Sequence, residues 1–168
     1  DNPDNPDDPR TQVLAQRFSL EGRRLWAGGR GAVVVAALKN RVVALAGAVA
    51  GARTVMLFGV EFVTEEHRGD VLLAAQSLDR DGAARWADGR YVRLTRNYQR
   101  ELNPRVMDDG DNGALVLFER QASGTSPTAN TDLLACRLSS QGALLWSEQV
   151  VADDADRETD ASLVPTEL

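Results

Sequence analysis

A chain of 168 residues, 43% hydrophobic and 26% charged, has the length and composition of one globular domain with a real core. Its formal net charge of −6 argues against a nucleic-acid or anionic-membrane partner, either of which wants a basic face. No apolar run has the length of a membrane-spanning helix, because the richest stretch, 32–63, is broken by Lys39, Arg41 and Arg53, so no membrane insertion is expected.

The chain opens on DNPDNPDDPR, with three prolines, several acids and no apolar residue. Such a segment cannot bury enough surface to offset its ordering entropy, so 1–10 is expected to be a disordered, solvated leader. With neither an initiator Met nor a signal-peptide pattern ahead of it, the expectation is a processed or trimmed chain.

From residue 11 onward the sequence repeats itself. VLAQRFS, LLAAQSL and LLACRLS are strand-length runs, each followed by a polar, glycine-bearing turn and then a tryptophan. Trp26, Trp86 and Trp146 are evenly spaced, and Gly22, Gly82 and Gly142 keep the same interval. Ala15, Ala75 and Ala135 hold it too, as do Val13, Leu73 and Leu133. Glycine suits a hairpin turn that needs positive φ. The tryptophan is expected to pack the hairpin so formed and stitch it to the next.

The register extends to a second hairpin in each copy. TVMLF at 54–58 sits over ALVLF at 114–118, and both are continuous apolar runs of the kind that strands show when both faces are covered. A full unit is therefore predicted to have four short strands, near 41–47, 54–62, 70–78 and 83–87, and the set recurs one interval further on. Small residues in the Ala15, Ala75 and Ala135 column would let a neighbouring sheet approach closely.

Four strands per unit and a tryptophan in the outer hairpin resemble a β-propeller blade. More narrowly, LDRDGAARW, SLEGRRLW and LSSQGALLW resemble the tryptophan-docking repeats of quinoprotein-like propellers and the extracellular repeats written Q-x-L-D-x-x-G-x-x-x-W. AQSLDRDGAARW is the best match; AQRFSLEGRRLW lacks the Asp, and ACRLSSQGALLW lacks both Gln and Asp. The resemblance covers about residues 11 to 153 and implies an all-β fold of propeller-type four-stranded blades. The expected divisions are a half-blade at 11–35, a blade at 36–95 and a blade at 96–153. An acidic tail at 154–168 would begin a further strand at SLVP.

About two and a half blades cannot close a ring, which usually takes at least four. The chain is therefore expected to self-associate into a composite propeller, to belong to a longer propeller chain, or to fold its C-terminal SLVPTEL strand back onto the N-terminal half-blade.

The chemistry-bearing residues are few. The one cysteine, Cys136, excludes an internal disulfide, and its apolar setting in LLACRL reads as core. The one histidine, His67, and Glu65–Glu66 fall in the polar loop VTEEHRGD and read as solvated. Asp108, Asp109, Asp111 and Asn112 in DDGDNG offer alternating oxygens, with Asp109 and Asp111 the weak candidates for Ca²⁺. The equivalent AVAGAR has none, and an Asp/Gly hairpin turn explains the same residues. The tryptophans have two readings: structural docking, or a platform on which Trp26, Trp86 and Trp146 stack against sugars.

The expectation is a non-catalytic extracellular or periplasmic binding or scaffolding module, without cofactor or metal, taking a protein or glycan ligand. The alternatives are a lectin closed by oligomerisation and a fragment of a larger quinoprotein-like propeller, since propellers host unrelated activities.

Overall fold

Apolar runs with no helical period, cut at short intervals by glycine turns, leave the backbone no choice but strands. The computed structural model describes residues 11–62, 64–121, 131–152 and 161–164, and these residues are all-β. The leader expected at 1–10, the acidic stretch at 153–160 and residues 165–168 lie outside the described residues; 161–164 belong to no strand. No helix among the described residues is long and apolar enough to cross a membrane.

The first strand, β1 (Thr11–Ala15), pairs antiparallel with β2 (Val33–Leu38) as a separate two-stranded hairpin. Next come β3 (Arg41–Ala50), β4 (Arg53–Glu61), β5 (Val71–Leu78) and the short β6 (Val92–Arg93). The second set is β7 (Arg100–Asp108), β8 (Ala114–Gln121), β9 (Thr131–Leu138) and β10 (Leu144–Ala152). Within each set the strands pair antiparallel in chain order. Among the described residues, the two sets pair edge to edge only at the parallel partners Val71 and Arg100.

What joins the units is packing. Val55, Leu57, Leu73, Ala75 and Trp86 of the first set share one core with Val116, Phe118, Leu134, Cys136 and Leu138 of the second. A second core joins Val13, Trp26, Val35 and Leu38 of the N-terminal hairpin to Phe58, Val60, Ala74 and Leu78. Moving the second core on by one repeat interval lands Val13 on Leu73, Trp26 on Trp86, Phe58 on Phe118 and Leu78 on Leu138. The same joint is thus made twice. Strand β5 lies between the two joints and is buried at every residue, as its lack of polar alternation predicts.

The fourth strand differs from expectation. Residues 83–87 do not form one: a single bridge pairs Leu78 with Ala84, a 3-10 turn occupies Ala87–Gly89, and pairing with β5 resumes at β6. The N-terminal hairpin has the same break, with a bridge from Phe18 to Arg24, a turn at Ala27–Gly29 and a return strand at Val33–Leu38. Only β10 pairs along its length, with bulges.

Candidate functional site: the unit junctions and the cleft between β3 and β7

Each hairpin turn is closed by Gly22, Gly82 or Gly142, whose N–H donates to the carbonyl of Ser19, Asp79 or Ser139 at 3.0, 3.0 and 2.9 Å. All three glycines have positive φ. Two of them are also contact surfaces. An added Cβ on Gly82 would lie 2.9 Å from Trp26 Cγ, and one on Gly142 would lie 2.6 Å from the same atom of Trp86. The indole of one unit therefore lies on the glycine turn of the next. Trp26 Nε1–H donates to the Arg80 carbonyl at 2.9 Å, and Trp86 Nε1–H to the Ser140 carbonyl at 3.0 Å. Both rings are buried. Trp146, which has no described unit beyond it, is half-buried.

A glutamine holds each docked tryptophan in place. Gln76 Oε1 accepts from Ser77 N–H at 2.8 Å and Trp86 N–H at 2.9 Å, and its Nε2 donates to the Arg90 carbonyl at 2.6 Å. Gln16 does the same with Arg17 N–H, Trp26 N–H and the Gly31 carbonyl. The amide satisfies backbone groups left over where the strand breaks. In the third copy Cys136 occupies that column and has no amide to offer; there the chain pairs directly as β10. The glutamine column was visible in the sequence, but its link to the strand break was not.

The carboxylates of the acidic turn each take donors from the protein itself. Asp109 Oδ1 accepts from the N–H groups of Asp111 and Gly113, both at 2.8 Å, while Oδ2 accepts from Arg137 at 2.7 Å. Asp111 takes the other arm of the same guanidinium at 2.7 Å. Burial pushes the Asp109 carboxyl up, but Arg137 and the turn N–H donors outweigh it and hold it below its ordinary value. Asp108 Oδ2 accepts from Gly51 N–H at 3.2 Å, and the Asn112 side chain lies against Gly51. The AVAGAR and DDGDNG turns thus touch, one capping the other.

His67 is not a freely solvated loop residue. Its ring stacks on Tyr98 at 3.7 Å and 9°, with Phe62 edge-on to both, and Nδ1 lies 3.3 Å from the Asp70 carboxylate. Glu66 stands 3.9 Å from Nε2 and is exposed, as is Glu65.

Between the edge strand β3 and strand β7 lies a cleft of about 480 Å³. Both strands bulge into it at the same repeat position, between Val42 and Ala44 and between Leu102 and Arg105. Asn103 takes φ 47° there, and Pro104, which has no N–H to lose, follows it. Arg41, Arg100 and Arg105 line the cleft with Glu61 and Glu101. Arg41 is paired to Glu61 at 2.6 Å. Arg100 and Arg105 make no ion pair among the described residues.

Beneath the cleft, Arg120 bridges two carboxylates, Glu101 at 2.6 Å and Glu148 at 2.9 Å. One cation between two anions leaves a buried excess of negative charge. Burial pushes the Glu101 carboxyl up, to about 7, against the pull of Arg120 and with the help of Glu148. Burial, then Glu148 and Glu101, push the Cys136 thiol up to about 12. Cys136 is buried and free, in the core where the sequence placed it.

No family model, no curated protein and no solved structure matches this chain.

Proposed function

We propose that the chain is a non-catalytic binding and scaffolding module, built of β-propeller-type blades of the tryptophan-docking kind and working in an extracellular or periplasmic setting. The observation that carries this reading is the joint made twice, Trp26 on Gly82 and Trp86 on Gly142, at the interval of the sequence repeat. A joint of that kind stacks four-stranded units face to face and lets the array grow by repetition.

The proposed ligand face is the cleft between β3 and β7. Arg100 and Arg105, on a chain of net charge −6, present two guanidiniums with no ion-pair partner among the described residues. Such cations at a concave surface attract a carboxylate or sulfate group, here one carried by a protein or a glycan. The cleft's remaining charged groups are committed to Arg41–Glu61 and Arg120–Glu101, which favours binding over turnover. A second reading, a lectin closed by oligomerisation, is favoured by Trp146 alone, the one indole with no described turn lying over it.

Calorimetric titration with sulfate, a dicarboxylate, a uronic acid and a neutral hexose tests the proposal. The anions bind, and the Arg100→Ala/Arg105→Ala double variant weakens them by roughly tenfold or more, as loss of charge-assisted hydrogen bonds requires. Arg23→Ala, at an exposed turn, leaves binding unchanged. Anion binding that survives the double variant sinks the cleft assignment. Hexose binding that disappears in Trp146→Ala supports the lectin instead.

A further inference from the structure

Among the described residues, the joint made twice has two further halves left uncovered, at Gly22 and at Trp146. Trp146 keeps the interval of Trp26 and Trp86 but is only half-buried. Gly22 holds φ +77°, close to Gly82 and Gly142, yet an added Cβ there meets nothing within 4 Å. Leu20, in the column of Arg80 and Ser140 whose carbonyls accept the indole N–H, is fully exposed.

The surrounding faces match in the same sense. Leu14 and Phe18 are 52% and 56% exposed, whereas Ala74 and Leu78, in the same columns within the stack, are 2% and 0% exposed. Beside Trp146, Leu115 and Ala135 are half-buried, where Val55 and Ala75 are buried under the next unit. Each end thus carries an apolar face that its counterparts inside the molecule cover.

We propose that Trp146 of one copy docks on the Gly22 turn of a second copy, donating its indole N–H to the Leu20 carbonyl. Copies then join head to tail through the joint the chain already contains. The occupant is a second copy because each end presents the half that the other end lacks, in the same repeat register. Like ends lack one half of the joint, so the joint cannot form between them; the interface is heterologous and builds a ring or an open array. The proposal rests on the blade reading above.

The test uses two variants of the whole chain, Gly22→Asn and Trp146→Ala, followed by light scattering and sedimentation over a concentration series. Asparagine tolerates left-handed φ, and its Cβ has open space at residue 22 of a single copy, so folding is preserved. Against a docked indole that Cβ would stand where Gly82 and Gly142 admit none. The wild type should exceed the mass of one 18.2 kDa chain. Each variant alone should stay monomeric. An equimolar mixture should give a dimer and nothing larger, since one variant keeps a working Trp146 and the other a working Gly22.

A wild type that stays monomeric at its solubility limit overturns the proposal, as do variants that associate like the wild type. Indole N–H exchange separates this failure from failure of the blade reading. Protected Trp26 and Trp86 in a monomeric wild type remove only the second copy, whereas unprotected indoles remove the blade reading as well.

Discussion

The indole of Trp86 lies on Gly142, in the hairpin turn of the next unit, so closely that a Cβ on that glycine would stand 2.6 Å from the ring. Two demands coincide at Gly142: φ of +82°, and no side chain under the indole. Gly82 meets both demands beneath Trp26, and Gly22 only the first.

The three glycines should therefore separate on substitution. Gly82→Ala and Gly142→Ala combine a left-handed backbone with overpacking and should each destabilise by roughly 2–5 kcal/mol. Gly22→Ala, measured where the chain is monomeric, carries only the backbone part, about 1–2 kcal/mol. Urea unfolding of the three variants checks the order; equal losses at all three would contradict the docking geometry.

Removing the glutamine clamp should cost more than its size suggests. Gln76→Leu strands the buried N–H groups of Ser77 and Trp86 and the Arg90 carbonyl, and a stranded buried group costs about 1–3 kcal/mol. Cys136→Ala, in the same column without an amide, should cost about 1 kcal/mol, the small-cavity range. Denaturation midpoints of the two variants decide; a Gln76→Leu protein as stable as Cys136→Ala would show that the amide holds nothing.

Much of this architecture was legible in the sequence, because a fixed period survives wherever side chains meet a copy of the same neighbour. The strands β4 and β5 were legible from continuous apolar runs, and the buried Cys136 from its flanks. The break after Trp26 and Trp86 was not, since it depends on a glutamine satisfying backbone groups well beyond its own strand. Nor was the stack of His67 on Tyr98: distant in the chain, they meet only after β5 and β6 have folded between them. The cleft escaped because its bulges at Val43 and Asn103 leave no mark in hydropathy, although the two positions share one repeat column.

Stability should depend on pH through Glu101. Its carboxyl is raised in the folded chain from 4.5 to about 7, so the folded state holds that proton more tightly than the unfolded one. The contribution is complete below about 4.5, and it is lost as pH rises to about 7, a change of about 3 kcal/mol. Glu101→Gln, which cannot ionise, should flatten that part of the curve. Urea midpoints of both proteins between these limits give the difference; parallel curves would place the excess charge elsewhere.

The thiol of Cys136 should be inert in the native protein. At pH 8 a pKa of about 12 leaves on the order of one thiol in ten thousand ionised, and burial blocks access to it. A chromogenic disulfide reagent should react at the rate of unfolding and at once in denaturant. Rapid modification of the folded chain would contradict the core placement.

The central claim is that one unit docks on the next through an indole, and the three indole N–H groups report on it individually. In a ¹⁵N-labelled sample, dilute enough to be monomeric, hydrogen exchange should be slow for Trp26 and Trp86, whose Nε1–H groups are bonded to the Arg80 and Ser140 carbonyls, and fast for Trp146. Three indoles exchanging at one common fast rate would mean that the joints do not form as described.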